Sequence, residues 1–433
     1  MKKHMTTLLL AVLISASGAA QQETSVQIQA AKSVTIKLTT AASNGIFDNG
    51  QLIQVYAIIE NNTNANMQGE VTWQIHTDQQ MPLKKTTLPV KLHKDKNKHL
   101  YCPVFEPPAA GFYRFKCTFK SKDSDETFSD SMTVGVSPLN LDPPVTRQPD
   151  FDEFWQKTLK DLKAVDPEYN VTLQAEKSSD KTDLYLVEMK SLGNLTVRGW
   201  LEVPKNKGRY PALLRVPGYT SAMEPINKFD DMVIFSFNVR GHGNSDDVEG
   251  DPLELWVRGL DDKNDYFYRG TFMDCIRAMD FLEQHPRVDP RRIAVSGGSQ
   301  GGGLAFVTAS LDKRVSICIA DVPFLCDMKH YFKTTHWDEI DDWLAADPER
   351  NWNDMLRTMS YFDTMNMTDK ITCPVLMGIG LQDSVCPPST SFAAYNKIKS
   401  QKEYIVYPRS GHNLGPKHWQ FGYKWLRKNF DLK

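Results

Sequence analysis

The chain has 433 residues, with 51 lysines and arginines against 53 aspartates and glutamates, a formal charge of -2. That length is roughly three times an ordinary 150-residue domain, so two or three domains are expected. Balanced charge removes the long-range attraction that a nucleic-acid or anionic-membrane binder uses, and 41% hydrophobic with 24% charged residues gives no case for disorder or for multiple membrane spans.

Lys2 and Lys3 precede an apolar run from Leu8 to Ile14, and small residues follow from Ser15 to Ala20. This pattern reads as a secretory signal peptide over residues 1–20, cut near Ala20 and Gln21, so a secreted or periplasmic location is expected. The run is too short for a membrane anchor. Seven cysteines leave at least one thiol unpaired, and none forms a Cys/His cluster with zinc spacing, so no metal is expected.

Residues 24–138 read as an all-β, immunoglobulin-like sandwich: Val34–Leu38, Leu52–Ile59, Val71–Ile75, Leu100–Phe105, Phe112–Phe119 and Met132–Val136 alternate in hydrophobicity between turn signals. Cys102 and Cys117 are symmetric about the turn Pro108–Gly111, which would set them opposite each other on antiparallel strands, either as a disulfide or as two buried thiols. Trp73 is the only tryptophan of this region and reads as core rather than as a sugar platform. Residues 139–149 are proline-rich and read as a linker. Asp150 then starts a helix with Glu153 completing a capping-box-like signal.

From 150 to 433 apolar strands alternate with amphipathic helices, the pattern of a mostly parallel sheet covered on both faces. Strands are expected at Leu184–Met189, Val197–Val203, Ala212–Val216, Met232–Asn238, Ile293–Ser296, Val315–Ile319, Val375–Ile379 and Tyr404–Tyr407. Helices are expected at Phe272–His285, Gly301–Leu311, Ser389–Ile398 and Lys417–Lys428. The stretch Pro323–Lys370 interrupts this rhythm and reads as an insertion over one end of the sheet.

Gly297-Gly298-Ser299-Gln300-Gly301 lies between an apolar strand and a helix-forming run, the setting of a nucleophile elbow. A serine hydroxyl needs an imidazole to take its proton and a carboxylate to orient that imidazole, in the chain order Ser, acid, His. Asp383, after strand Val375–Ile379, is the expected acid, with Asp321 as its rival. His412, after strand Tyr404–Tyr407, is the expected base, while His418 falls in the last helix and reads as structural. The oxyanion would be held by the backbone N–H groups of Gln300 and Tyr219.

With these residues in view, the chain from about 145 onward resembles the acetyl xylan esterase and cephalosporin-C deacetylase family of α/β-hydrolases, carbohydrate esterase family seven. Pro149-Asp150-Phe151-Asp152-Glu153-Phe154-Trp155 is similar to its opening helix, Arg258-Gly259 with Tyr268-Arg269-Gly270 to its segment before the elbow, and Asp383-Ser384-Val385-Cys386-Pro387-Pro388-Ser389-Thr390 with Phe392-Ala393-Ala394-Tyr395-Asn396 to its acid loop. Two departures stand out: Arg240-Gly241-His242 where the family has Arg-Gly-Gln, and His412-Asn413 where it has His-Glu. His242 is expected to be a hydrogen-bonding residue rather than a second base.

The resemblance implies a secreted serine esterase acting on acetylated oligosaccharide or polysaccharide such as xylan, without a cofactor, and a homo-oligomer. Two alternatives stay open: a serine peptidase of the prolyl-oligopeptidase type, against which stands the lack of a propeller, and a catalytically inactive polysaccharide-binding protein.

Overall fold

The computed structural model describes residues 33–247 and 252–432; the expected signal peptide lies outside them. Alternating apolar residues drive eight strands into two facing sheets: β1 (Val34–Thr40), β2 (Ile46–Phe47), β3 (Val55–Asn61), β4 (Met67–Thr77), β5 (Pro82–Leu92), β6 (Asn97–Tyr101), β7 (Gly111–Ser121) and β8 (Thr127–Val136). One sheet has the order β1-β3-β6 and the other β2-β8-β7-β4-β5. Val71, Trp73 and Ile75, spaced by two along β4, meet Val55, Ala57 and Ile59 of β3 in one core. Trp73 is 1% exposed, a core residue that presents no face to a sugar.

Two expectations are corrected here. Strand β5, absent from the expected set, is the edge of its sheet: it carries lysines, threonines and prolines, and only Val90 and Leu92 are buried. Cys102 and Cys117 do not oppose each other in a hairpin, because β6 pairs with β3 while β7 pairs with β4 and β8. The chain between them crosses from one sheet to the other. Both are buried free thiols, and burial pushes each up to about 12.

The proline-rich stretch 139–149 is fastened rather than free. Asn396 Nδ2 donates to the carbonyls of Pro138 and Leu141 at 2.9 and 2.8 Å, and Thr146 N donates to Asn366 at 2.8 Å. Asp150 precedes helix α1 (Phe151–Lys163) as expected, but its side chain does not cap it; Lys263 and Tyr361 take the carboxylate instead. An ion pair with a lysine outcompetes a bond to a helix N–H.

Beyond α1 come β9 (Asn170–Leu173), β10 (Thr182–Lys190), β11 (Thr196–Pro204), β12 (Tyr210–Arg215), β13 (Val233–Asn238), α2 (Phe267–Gln284), β14 (Val288–Gly298), α3 (Gln300–Leu311) and β15 (Val315–Asp321). They are followed by α4 (Met328–Thr334), α5 (Asp338–Ala345), α6 (Trp352–Met359), β16 (Val375–Gly380), α7 (Pro388–Lys397), β17 (Lys402–Tyr407) and α8 (Pro416–Asn429). The sheet order is β17-β16-β15-β14-β12-β13-β11-β10-β9, parallel from β17 to β13 and antiparallel beyond. This is an α/β-hydrolase sheet preceded by a β-sandwich. Along β12 the faces separate: Ala212 and Leu214 join the core under α1, α2 and α3, whereas Leu213 joins Trp425 and Leu426 of α8. Helices α4 to α6 form the expected insertion between β15 and β16.

The loop after β4 reaches the insertion. Asp78 Oδ2 lies 2.7 Å from His330 Nε2 on α4, and Gln79 Nε2 lies 3.1 Å from His330 Nδ1. Burial pulls the His330 pKa down and Lys333 opposes charge there, but the bond to Asp78, with Asp327 nearby, outweighs both and holds it above the ordinary value. Burial works to raise Asp78, yet the same pair leaves it below the usual carboxylate value. A raised histidine stabilises the fold below its unfolded pKa of about 6.5 and loses that contribution as pH rises through the folded value; a lowered aspartate stabilises above about 3.9. The gap in melting temperature between wild type and His330→Gln is therefore expected to be wide near pH 6 and to narrow toward pH 9 in thermal denaturation. A gap that widens with pH would contradict the pairing.

Candidate active site

Ser299 joins β14 to α3 with φ 60° and ψ -125°, a region that side chains occupy only where the surroundings impose it. The glycines around it allow the crowding. A Cβ on Gly297 would lie 2.5 Å from the Gly301 carbonyl, and one on Gly301 would lie 2.5 Å from Val216 O. One on Gly298 would meet nothing nearer than 3.8 Å, so the outer two glycines of GxSxG carry the geometry. Main-chain bonds fix the turn: Ser299 N donates to Asp321 O, and Phe324 N to Ser299 O, both at 2.9 Å.

Asp383 follows β16 with its side chain 1% exposed. One carboxylate oxygen accepts the N–H groups of Val385 and Cys386 at 2.8 and 2.9 Å, which leaves the other free for His412 Nδ1 at 2.8 Å. His412 follows β17 and is about a third exposed, at 32%. A proton on Nδ1 toward the carboxylate leaves a lone pair on Nε2. The two loops are tied together, since Gln382 N donates to Ser410 O at 2.9 Å and a Cβ on Gly380 would strike Gly411 O at 2.1 Å.

The rival residues are engaged with each other. His418 Nε2 lies 2.7 Å from Asp321 Oδ1, and His418 Nδ1 lies 3.0 Å from Tyr407 Oη. Gly378 leaves room for that pair, because a Cβ there would sit 2.5 Å from the His418 ring and 2.7 Å from Asp321. The structure thus joins Asp383 to His412 directly. Among the described residues Ser299 Oγ makes no hydrogen bond to His412; it lies beside the Cys386 thiol, which burial holds well above the usual thiol range.

Gln300 opens α3 and Tyr219 lies in the loop after β12, as expected from sequence. The Gln300 side chain is fully buried and every polar atom has a partner: Tyr268 Oη donates to its Oε1 at 2.8 Å, and its Nε2 reaches His242 Nε2 at 3.0 Å and Pro217 O at 3.4 Å. The amide can only donate, so His242 Nε2 accepts and its Nδ1–H donates to Arg240 O at 3.0 Å. Burial lowers the His242 pKa, which keeps the ring neutral as this network requires. Arg240 is itself fixed by three bonds to buried Asp274, two from its guanidinium at 2.8 and 2.7 Å and one from its backbone N–H at 3.0 Å. Tyr268 was noted from sequence only as part of a motif; its bond to Gln300 could not be read from spacing. The Tyr219 hydroxyl donates to Leu253 O at 2.8 Å, and its ring stands 6.1 Å from that of His242.

The acetyl xylan esterase family model matches residues 142–429. The chain belongs to the acetyl xylan esterase family. The esterase is 30% identical over 308 residues to the acetyl esterase Axe7A of Xylanibacter ruminicola, a match covering 66% of this chain and 69% of that one. Solved acetyl xylan esterases from Thermoanaerobacterium sp. and Paenibacillus sp. superpose on it with TM-scores of 0.63. They are 30% and 32% identical, and the superpositions cover 68% and 67% of this chain and 98% of each of theirs. It is a carboxylic ester hydrolase.

In this esterase His242 accepts from the Gln300 amide, and the side-chain oxygen of a glutamine at that position can accept as well. His242→Gln is expected to keep kcat within about twofold and to leave the acid limb of the pH–rate profile in place, because the Gln300 amide and the Arg240 carbonyl hold the ring as one acceptor and one donor away from the reacting atoms, and burial lowers its pKa. His242→Leu removes the acceptor from a buried amide, a loss of about 1.4 kcal/mol that corresponds to about tenfold in kcat if the Gln300 backbone shifts with its side chain. Steady-state kinetics across pH on a soluble acetyl ester would check both variants. Among the described residues no group of three His, Cys, Asp or Glu side chains converges as metal ligands do.

Proposed function

We propose that the chain is an exported serine esterase that removes acetyl groups from hydroxylated carbohydrate, xylan or xylo-oligosaccharides above all, with Ser299, His412 and Asp383 as its triad. The observation carrying this reading is the Asp383–His412 bond of 2.8 Å, formed by the loops after β16 and β17 beside the elbow that holds Ser299. Family membership supports the ester chemistry, and the chain's likeness to an acetyl esterase and to acetyl xylan esterases supports the carbohydrate acetyl ester.

In this reading Ser299 attacks the acetyl carbonyl while His412 Nε2 takes its proton, and Asp383 fixes the ring and stabilises the imidazolium. The backbone N–H groups of Gln300 and Tyr219 hold the oxyanion. His412 then protonates the leaving sugar oxygen, and water hydrolyses the acetyl-enzyme by the reverse route. The proposed organisation is a signal peptide over 1–20, a sandwich over 24–138, a linker over 139–149 and the catalytic domain from 150.

The test is a panel of acetylated xylo-oligosaccharides, other acetylated sugars and a proline anilide, scored by released acetate or aniline. Acetate release that is fastest on the xylo-oligosaccharides is expected. Cleavage of the anilide with no acetate released from any sugar would overturn the reading in favour of a peptidase.

A further inference from the structure

The β-sandwich is not merely attached to the hydrolase; it touches the two loops on which the proposed triad depends. Gln382, the residue before Asp383, places its side-chain amide against the backbone of Thr133 in β8. Thr133 N donates to its Oε1 at 2.8 Å, and its Nε2 donates to Thr133 O at 3.1 Å and to Pro408 O at 2.7 Å. The side chain therefore behaves as an extra strand residue, satisfying both main-chain groups of Thr133 in the manner of a ladder. From the histidine loop, Arg409 donates to Leu38 O on β1. Leu38 is in turn held by its N–H, which donates to Asp130 of β8 at 2.9 Å.

Packing adds to these bonds. Leu381 lies so close to Gly45 that a Cβ there would sit 2.6 Å from its Cδ1, and the φ of +70° at Gly45 also favours glycine. The helix that follows the acid loop is also met, the Phe112 ring of β7 lying 5.9 Å from Phe392 of α7. The sandwich thus holds the loop bearing Asp383 at Leu381 and Gln382, the helix after it at Phe392, and the loop bearing His412 at Arg409.

We propose that the N-terminal sandwich is a positioning brace for the acid and histidine loops, with Gln382 as its pivot. This rests on the assignment of Asp383 and His412 to the triad. Gln382 touches no reacting atom; it acts through Asp383 and, by way of Pro408 and Ser410, through His412. A serine activated by a misaligned imidazole loses rate in the chemical step while binding its substrate unchanged, because proton transfer depends steeply on geometry.

The full-length protein carrying Gln382→Met, which keeps the length of the side chain and removes its hydrogen bonds, tests the brace on a small soluble acetyl ester beside an Asp383→Asn control. A fall in kcat of about tenfold, with KM within about twofold and a native circular dichroism spectrum, is expected. Wild-type kcat in Gln382→Met with Asp383→Asn crippled would overturn the brace and leave the triad standing. Wild-type kcat in Asp383→Asn would overturn the triad assignment and the brace with it. A proportionate change in kcat and KM would mark Gln382 as a general stabiliser and also overturn the proposal. Should Gln382→Met fail to fold, Arg409→Leu reads the same brace from the histidine loop: a lowered kcat at constant KM upholds it, and an unchanged kcat overturns it.

Discussion

Ser299→Ala is expected to leave a folded protein whose turnover of a chromogenic acetyl ester is lower by about 10⁴-fold or more, equivalent to about 5.5 kcal/mol of transition-state stabilisation. Nothing in the fold needs the hydroxyl. The turn is held by main-chain bonds from Ser299 N to Asp321 O and from Phe324 N to Ser299 O, which alanine keeps. In the proposed mechanism alanine removes the atom that attacks, and without it His412 has no proton to accept and Asp383 no imidazolium to stabilise. The residual rate comes from the oxyanion donors and from binding. A variant with more than a tenth of wild-type kcat would sink the assignment of Ser299 as nucleophile.

Asp383→Asn is expected to lower kcat by about 10⁴-fold, and Asp321→Asn by far less. An amide at 383 can present its NH₂ to His412 Nδ1, which favours the tautomer with the proton on Nε2 and leaves no lone pair for the serine proton. The change is nearly isosteric, and the loop bonds from Val385 and Cys386 need only an oxygen, which the amide retains. At 321 the backbone carbonyl, rather than the side chain, supports the elbow, and the side chain faces His418. Measuring both variants on one ester decides between them: if the ranks were exchanged, Asp321 rather than Asp383 would be the acid.

Much of the candidate site is legible in the sequence because its signals are local. An elbow needs small residues within five positions, and an acid or histidine in a hydrolase follows a strand end that the apolar pattern marks. The strands β10 to β16 are legible for the same reason, being buried on alternate or on both faces, and the half-buried apolar run Tyr404–Tyr407 marks β17. What escaped depended on partners distant in sequence. Strand β5 is polar because it is an edge, the Asp150 cap lost to a lysine 113 positions away, and Gln382 meets Thr133 across 249 positions. The Cys102–Cys117 symmetry suggested a hairpin, but symmetry about a turn does not say whether the two strands stay in one sheet. Nor does the run Gly297-Gly298-Ser299-Gln300-Gly301 say which glycines are crowded, and in the fold they are Gly297 and Gly301.

All seven cysteines are free and buried, and burial raises every one of their pKa values, Cys373 to about 11. A thiol reacts through its thiolate, so the native protein offers oxidants and alkylating agents almost no reactive sulfur. Vulnerability is confined to the unfolded chain, where seven exposed thiols can pair at random. Catalytic yield after refolding should therefore depend on reductant, while the activity of the folded enzyme should not respond to it: the redox hazard of this chain belongs to its biogenesis and ends when the two cores close.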